Sequence, residues 1–269
     1  MVLALMLCQK HGVPQSACMM VAMSLITACY SIKTGFGVSE GTCSSTESEP
    51  THGPGQGSRL ASALWMIVSC ICFEAMLKLC HGVSFCDPSN MLTHRRTSDG
   101  FVDDVTLWFN LGLLFSLLND VSVQDMAAGL EREGQSWERL LWTTGGKIEL
   151  SKCPHYILFY KFDPDGTPQM ETVTNMGDDL VSLTSGLDPI PSNIEHRDCS
   201  KAHRTLGMWP APNGNADTQY KESLGKRKRF SQGVIKSPMS RYQASTSYWT
   251  MYIPSITFGI GSTLMSLDQ

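Results

Sequence analysis

The sequence predicts an α+β protein: an incomplete antiparallel sheet backed by helices, followed by a mostly helical C-terminal part. Three observations predict it. The runs Leu60–Cys80 and Val123–Trp142 carry helical patterning, the first largely apolar and the second amphipathic. Short runs rich in aromatic and β-branched residues flank tight-turn signals at Asp103-Asp104 and Asp163-Pro164-Asp165-Gly166. The chain has 269 residues, 42% hydrophobic and 17% charged, which describes a globular protein with ample material for a core.

Taken in order, Met1–Lys10 and Gln15–Ala28 read as two helices parted by Gly12-Val13-Pro14, a Gly-then-Pro stop signal. Tyr30–Ser39 reads as a strand, and Glu40–Gly55 as a polar loop. Ser58 is the expected N-cap of the helix that follows. Within that helix, Ala61–Phe73 is nearly all apolar. The run is shorter than the roughly 20 residues a membrane span needs, and it meets Glu74 and Lys78. A buried core helix and no membrane partner are therefore expected.

Gly82–Pro88 leads through a turn into the Asp-Asp hairpin. After the amphipathic helix, Thr143-Thr144-Gly145-Gly146 is a stop, and Lys147–Lys152 alternates like a strand with Ile148 and Leu150 inward. His155–Phe162 is another expected strand, and Gly177–Arg197 a surface excursion. Thr205–Trp209 followed by Pro212-Asn213-Gly214-Asn215 reads as a strand and tight turn, since Asn-Gly signals a hairpin. Tyr220–Phe230 and Met239–Tyr252 are helical, with an apolar tail from Ile253.

The formal net charge is −4, so bulk charge does not advertise nucleic-acid binding. Ten cysteines are scattered, several within apolar runs, which points to free thiols in a reducing, intracellular setting. A zinc site from Cys70, Cys72, Cys80, His81 and Cys86 matches no common ligand spacing. Met1–Cys8 lacks the basic region and cleavage site of a signal peptide and begins like the middle of a helix, which suggests a truncated chain.

The chemistry centres on Asp103 and Asp104. Two carboxylates at a hairpin tip are held rigidly in solvent and suit a hard cation such as Mg²⁺, with Mn²⁺ as a substitute. The plain alternative is an acidic surface turn. Phe101-Val102-Asp103-Asp104 resembles the aromatic-x-Asp-Asp box of reverse transcriptases. Further motifs follow the order of that family. Gly55-Gln56-Gly57-Ser58, opening a long helix at Arg59, resembles its Gln-Gly turn; taken alone it is a flexible Gly-rich loop. Gly145-Gly146-Lys147-Ile148-Glu149-Leu150-Ser151-Lys152 resembles its Gly turn and short strand ending near a lysine. His203-Arg204-Thr205-Leu206-Gly207-Met208-Trp209 resembles its Leu-Gly primer grip, and Ala244-Ser245 with Tyr252-Ile253-Pro254-Ser255 resembles the start of a thumb. The wording around these motifs is similar to mobile-element polymerases of single-celled algae.

The resemblance implies a polymerase palm over residues 1–209, without fingers or the first Asp motif, and a partial thumb over 210–269. It implies RNA-directed DNA polymerisation by two-metal catalysis, with a template, a primer and a deoxynucleoside triphosphate as partners. Asp103 and Asp104 would be metal ligands. Gln56, Gly57, Ser58, Arg59 and Phe101 would shape the nucleotide and template pocket. Lys152 would face pyrophosphate, and Leu206-Gly207 would hold the primer end.

Two-metal catalysis requires a second acid cluster, and no acidic residue lies between Met1 and Ser39. The expectation is therefore a fragment inactive alone, completed by a missing N-terminal segment or another retroelement protein, or else a remnant that only binds nucleic acid or protein. The basic run Lys226-Arg227-Lys228-Arg229 could track a phosphate backbone, act as a localisation patch, or be a solvated helix face.

Overall fold

The computed structural model describes residues 2–44, 46, 59–89, 91–101, 104–111, 121–178, 180–205 and 207–260. It is mixed α+β, as expected, with about 47% helix and, among the described residues, no closed barrel. Among the described residues the strands pair two by two, always antiparallel. The chain forms two compact units: Met1–Cys153 with Asp179–Ile194, and Pro154–Asp178 with Glu195–Gln269. The expected boundary at 209/210 falls inside the second unit.

In the first unit, helices α1 (Val2–Lys10) and α2 (Gln15–Ile26) meet at Gly12, whose φ of 90° suits glycine, and at Pro14, which starts α2. The expected strand at Tyr30–Ser39 is instead a hairpin, β1 (Cys29–Thr34) with β2 (Gly37–Ser44). Its turn falls at Gly35-Phe36, so β2 takes the first residues of the expected loop.

Helix α3 (Arg59–Leu79) is the spine of this unit. Leu64, Val68, Cys72 and Met76 recur every fourth residue and form one buried stripe with Ala4, Cys8, Cys18 and Trp137. Phe73 stacks on Trp137 at 5.5 Å. The apolar run is longer than expected: by length and composition Ala61–Leu79 is long and apolar enough to cross a membrane. Only 22% of it is buried, so the buried stripe accounts for only part of that apolarity.

The segment Gly82–Pro88 contains a strand and then the expected turn. β3 (Val83–Cys86) pairs with β4 (Thr93–Arg96), so the bend lies beyond Cys86. β5 (Ser98–Phe101) then pairs with β6 (Asp104–Leu107).

Helix α4 (Val123–Thr144) starts at a reciprocal capping box of Ser122 and Asp125 and stops at Gly145, which is left-handed with φ 87°. Gly129 lies under the Phe109 ring, where a Cβ would overlap it.

Lys147–Lys152 is not a strand. Ile148 and Leu150 are half-buried as expected, but Leu150–Lys152 forms a single 3₁₀ turn. The reason is where its backbone bonds go: Ile148 N–H donates to Glu138 Oε2 (2.7 Å), and Ile148 O accepts the Ser185 hydroxyl (2.8 Å). Its ladder groups are taken before another strand can use them. The Gly177–Arg197 segment is likewise no simple surface excursion. Val181, Leu183 and Ile194 are buried, and Ser182–Leu183 pairs with Ser192–Asn193. Side chains of α4 hold it: Glu131 accepts the N–H of Ser182, Gln135 that of Thr184, and Glu138 that of Gly186.

In the second unit the expected strand at His155–Phe162 shrinks to β7 (Tyr160–Phe162), paired with β8 (Pro168–Met170) around the expected turn at Asp163–Gly166. His155 instead bridges His196, and their buried rings stack at 4.7 Å. A short α5 (Val173–Met176) follows. Asn213-Gly214 does turn, at φ 81°, but it leads into helix α6 (Asp217–Lys236) rather than a returning strand. Trp209 N–H donates to buried Gln219 of α6 (2.9 Å). Helices α7 (Arg241–Ser247) and α8 (Ile253–Ile260) sandwich one π turn, Tyr248–Tyr252, and Phe230 stacks on Tyr252 at 4.8 Å.

Candidate functional site

The hairpin expected from Asp103-Asp104 is present. Ser98 pairs with Leu107 and Phe101 with Asp104, which leaves two residues, 102 and 103, between the strands. Asp103 itself lies outside the described residues. Asp104 opens β6 and is exposed, and the strand alternates exposed and half-buried residues from there. Val105 and Leu107 pack on the core while Asp104 and Thr106 face solvent.

Three interactions hold the base of the hairpin. Thr97, only 1% exposed, gives its carbonyl to the N–H of Trp108 (2.8 Å). Asp99 accepts from the Trp108 indole N–H (2.6 Å) and from the Arg96 guanidinium. Gly100 sits against the Phe73 ring of α3, where any Cβ would overlap it. Sequence reasoning missed this Arg96–Asp99–Trp108 set. The only signal was an Arg and an Asp three apart with a nearby Trp, which is common. Beside it, a cavity of about 310 Å³ opens between Trp65, Ser69 and Phe73 of α3 and Gly100 of β5.

The other expected site residues are distributed as follows. Gln56, Gly57 and Ser58 lie outside the described residues, as does Leu206. Arg59 opens α3 and Phe101 ends β5, but their side chains are outside the described set. Lys152 ends the 3₁₀ turn in the same unit as Asp104 and is exposed. Among the described residues no ion pair joins it to Asp104. It lies near Glu149, whose carboxyl is held below its usual range first by the Ser151 hydroxyl and then, more weakly, by Lys152. Gly207 is left-handed, φ 84°, inside a tight turn in which Thr205 and Met208 exchange both backbone hydrogen bonds at 2.9 Å. It belongs to the second unit.

Among the described residues no three His, Cys, Asp or Glu side chains gather to hold a metal ion. That includes the cysteines considered for zinc: Cys72 and Cys80 are buried, while Cys70 and Cys86 are exposed. Of the pair, the described Asp104 offers one exposed carboxylate, a hard oxygen donor of the kind divalent cations such as Mg²⁺ take.

No protein-family model, no curated protein and no solved structure matches the chain.

Proposed function

We propose that this chain is a region of an RNA-directed DNA polymerase, the palm with the start of a thumb, and that it does not turn over alone. The observation that carries the reading is the β5–β6 hairpin. Its strands leave only residues 102 and 103 between them, its exposed Asp104 opens the second strand, and Gly100 of its first strand packs on core helix α3. The order of the Gln-Gly, Asp-Asp, Gly-Gly-Lys and Leu-Gly motifs along the sequence supports it too.

In this reading Asp103 and Asp104 hold Mg²⁺ or Mn²⁺. The ion, when bound, would acidify the primer 3′-hydroxyl and stabilise charge on the transferring phosphoryl group. Lys152 presents an ammonium to the departing pyrophosphate. Gln56, Gly57, Ser58 and Arg59, with Phe101, bound the nucleotide and template pocket, and Leu206-Gly207 positions the primer end. One acid cluster binds a divalent ion weakly and does not clamp both the attacking and the leaving oxygen, so two-metal transfer would need a second cluster of acids beside this one.

The second reading is a remnant that binds nucleic acid or protein without catalysis. The absence of any acidic residue in positions 1–39 favours it. Fluorescence anisotropy with a labelled RNA–DNA primer–template, with primer extension in parallel, tests the nucleic-acid binding that both readings allow and the turnover that neither expects of the chain alone. The proposal expects binding that weakens steeply with added salt, because phosphate contacts release counterions, and no extension with Mg²⁺ or Mn²⁺. Extension abolished by Asp103→Ala would overturn the inactive assignment. Absence of binding at the lowest salt contradicts the polymerase reading and leaves protein binding as the remaining role.

A further inference from the structure

Glu133 is 1% exposed in the middle of α4. Its Oε1 accepts two backbone N–H groups, from His81 (2.7 Å) and Gly82 (3.2 Å), at the corner where α3 hands over to β3. Its Oε2 is buried and has no hydrogen-bond partner. The two carboxylate oxygens therefore make opposite demands. Ionisation would strengthen the bonds to Oε1, but it would leave charge on a dry, unpaired Oε2.

Burial is the largest influence and raises the Glu133 carboxyl above its usual range, outweighing the N–H groups of Gly82 and His81 that lower it. The titratable neighbours are few. From the end of α3 come the His81 ring and the Cys80 thiol, and from α4 itself the Arg132 guanidinium; His81 and Arg132 lower the Glu133 carboxyl only weakly.

The corner that Glu133 holds is the root of the acid hairpin. Gly82 is left-handed, φ 63°, and packs so tightly on the Arg96 carbonyl and the Thr97 side chain that a Cβ would overlap both. Thr97 in turn receives Trp108 at the far end of β6. A contiguous path thus runs from the Glu133 carboxyl through Gly82 and Thr97 to the base of β5 and β6.

We propose that Glu133 is a proton-operated latch: its neutral acid closes the α3–β3 corner and seats the hairpin that carries Asp104, and its ionisation releases both. The latch rests on packing within the first unit and holds whether or not the hairpin binds a metal. The sign follows from the raised folded value. The stabilisation is complete below the ordinary Glu range, about 4.3, and is lost as pH rises through the folded value.

Hydrogen exchange of the His81, Gly82 and Trp108 amides, corrected for base catalysis, reads the latch between about pH 4.5 and about pH 8; each unit of carboxyl shift is worth about tenfold in protection. In the unaltered protein protection of these three amides falls as pH rises, whereas in Glu133→Gln it stays flat. Equal pH profiles in the two proteins overturn the proposal. If Glu133→Gln does not fold, the carboxyl ¹³C shift of Glu133 in the unaltered protein decides. A midpoint above the ordinary Glu range that coincides with amide release supports the latch, and a midpoint at or below about 4.3 refutes it.

Discussion

Glu138 shows how a charged side chain becomes a structural part. It is 2% exposed, and each of its oxygens accepts a backbone N–H, from Ile148 (2.7 Å) and from Gly186 (2.7 Å). Truncation strands two half-buried donors, each costing about 1–2 kcal/mol, the lower part of the range for a fully buried group. Glu138→Ala should therefore destabilise the first unit by roughly 2–4 kcal/mol in urea unfolding, and Glu138→Gln by less, because one acceptor survives. An unchanged midpoint for Glu138→Ala would show that water replaces these bonds. Nothing in the sequence separates Glu138 from an ordinary solvated helix residue. Its partners lie 10 and 48 residues away, beyond the reach of periodicity. The same holds for Asp99, which takes the Trp108 indole N–H nine residues on. By contrast, the Asp-Asp turn was legible, because turn chemistry and flanking strand formers are local signals.

Helix α4 was the most legible element. Its amphipathic run, the polar residue before it and the glycines after it are all local. The capping box makes a matching prediction: Ser122→Ala should cost about 1 kcal/mol of stability, seen as a lower thermal midpoint. Asp125 adds a pH dependence. The Ser122 hydroxyl and N–H hold its carboxyl below the usual range, so the capping contribution is present above the unfolded value and lost as pH falls through the folded one. Ser122→Ala should flatten that acid limb. The elements that went astray, at Lys147–Lys152 and His155–Phe162, have the alternation of strands. Alternation reports which side chains turn inward, not where the backbone hydrogen bonds go. At Ile148 they go to Glu138 and Ser185, and at His155 to Glu195 and Arg197.

At the scale of the molecule, the α+β class followed from composition and pattern, but the division into two units did not. The chain leaves the first unit at Pro154 and returns to it for Asp179–Ile194. That return is fixed by Glu131, Gln135 and Glu138 gripping the backbone between Ser182 and Gly186. These contacts span 48 to 51 residues and leave no trace in local sequence. The functional reading depends on one expectation for the first unit: that Asp103 and Asp104 together take up a divalent ion. Paramagnetic broadening of backbone amides by Mn²⁺ measures that directly. The account predicts weak, saturable broadening centred on β5 and β6 that disappears when Asp103→Asn and Asp104→Asn are combined. Broadening that is absent from the hairpin, or unchanged in the double variant, would contradict it.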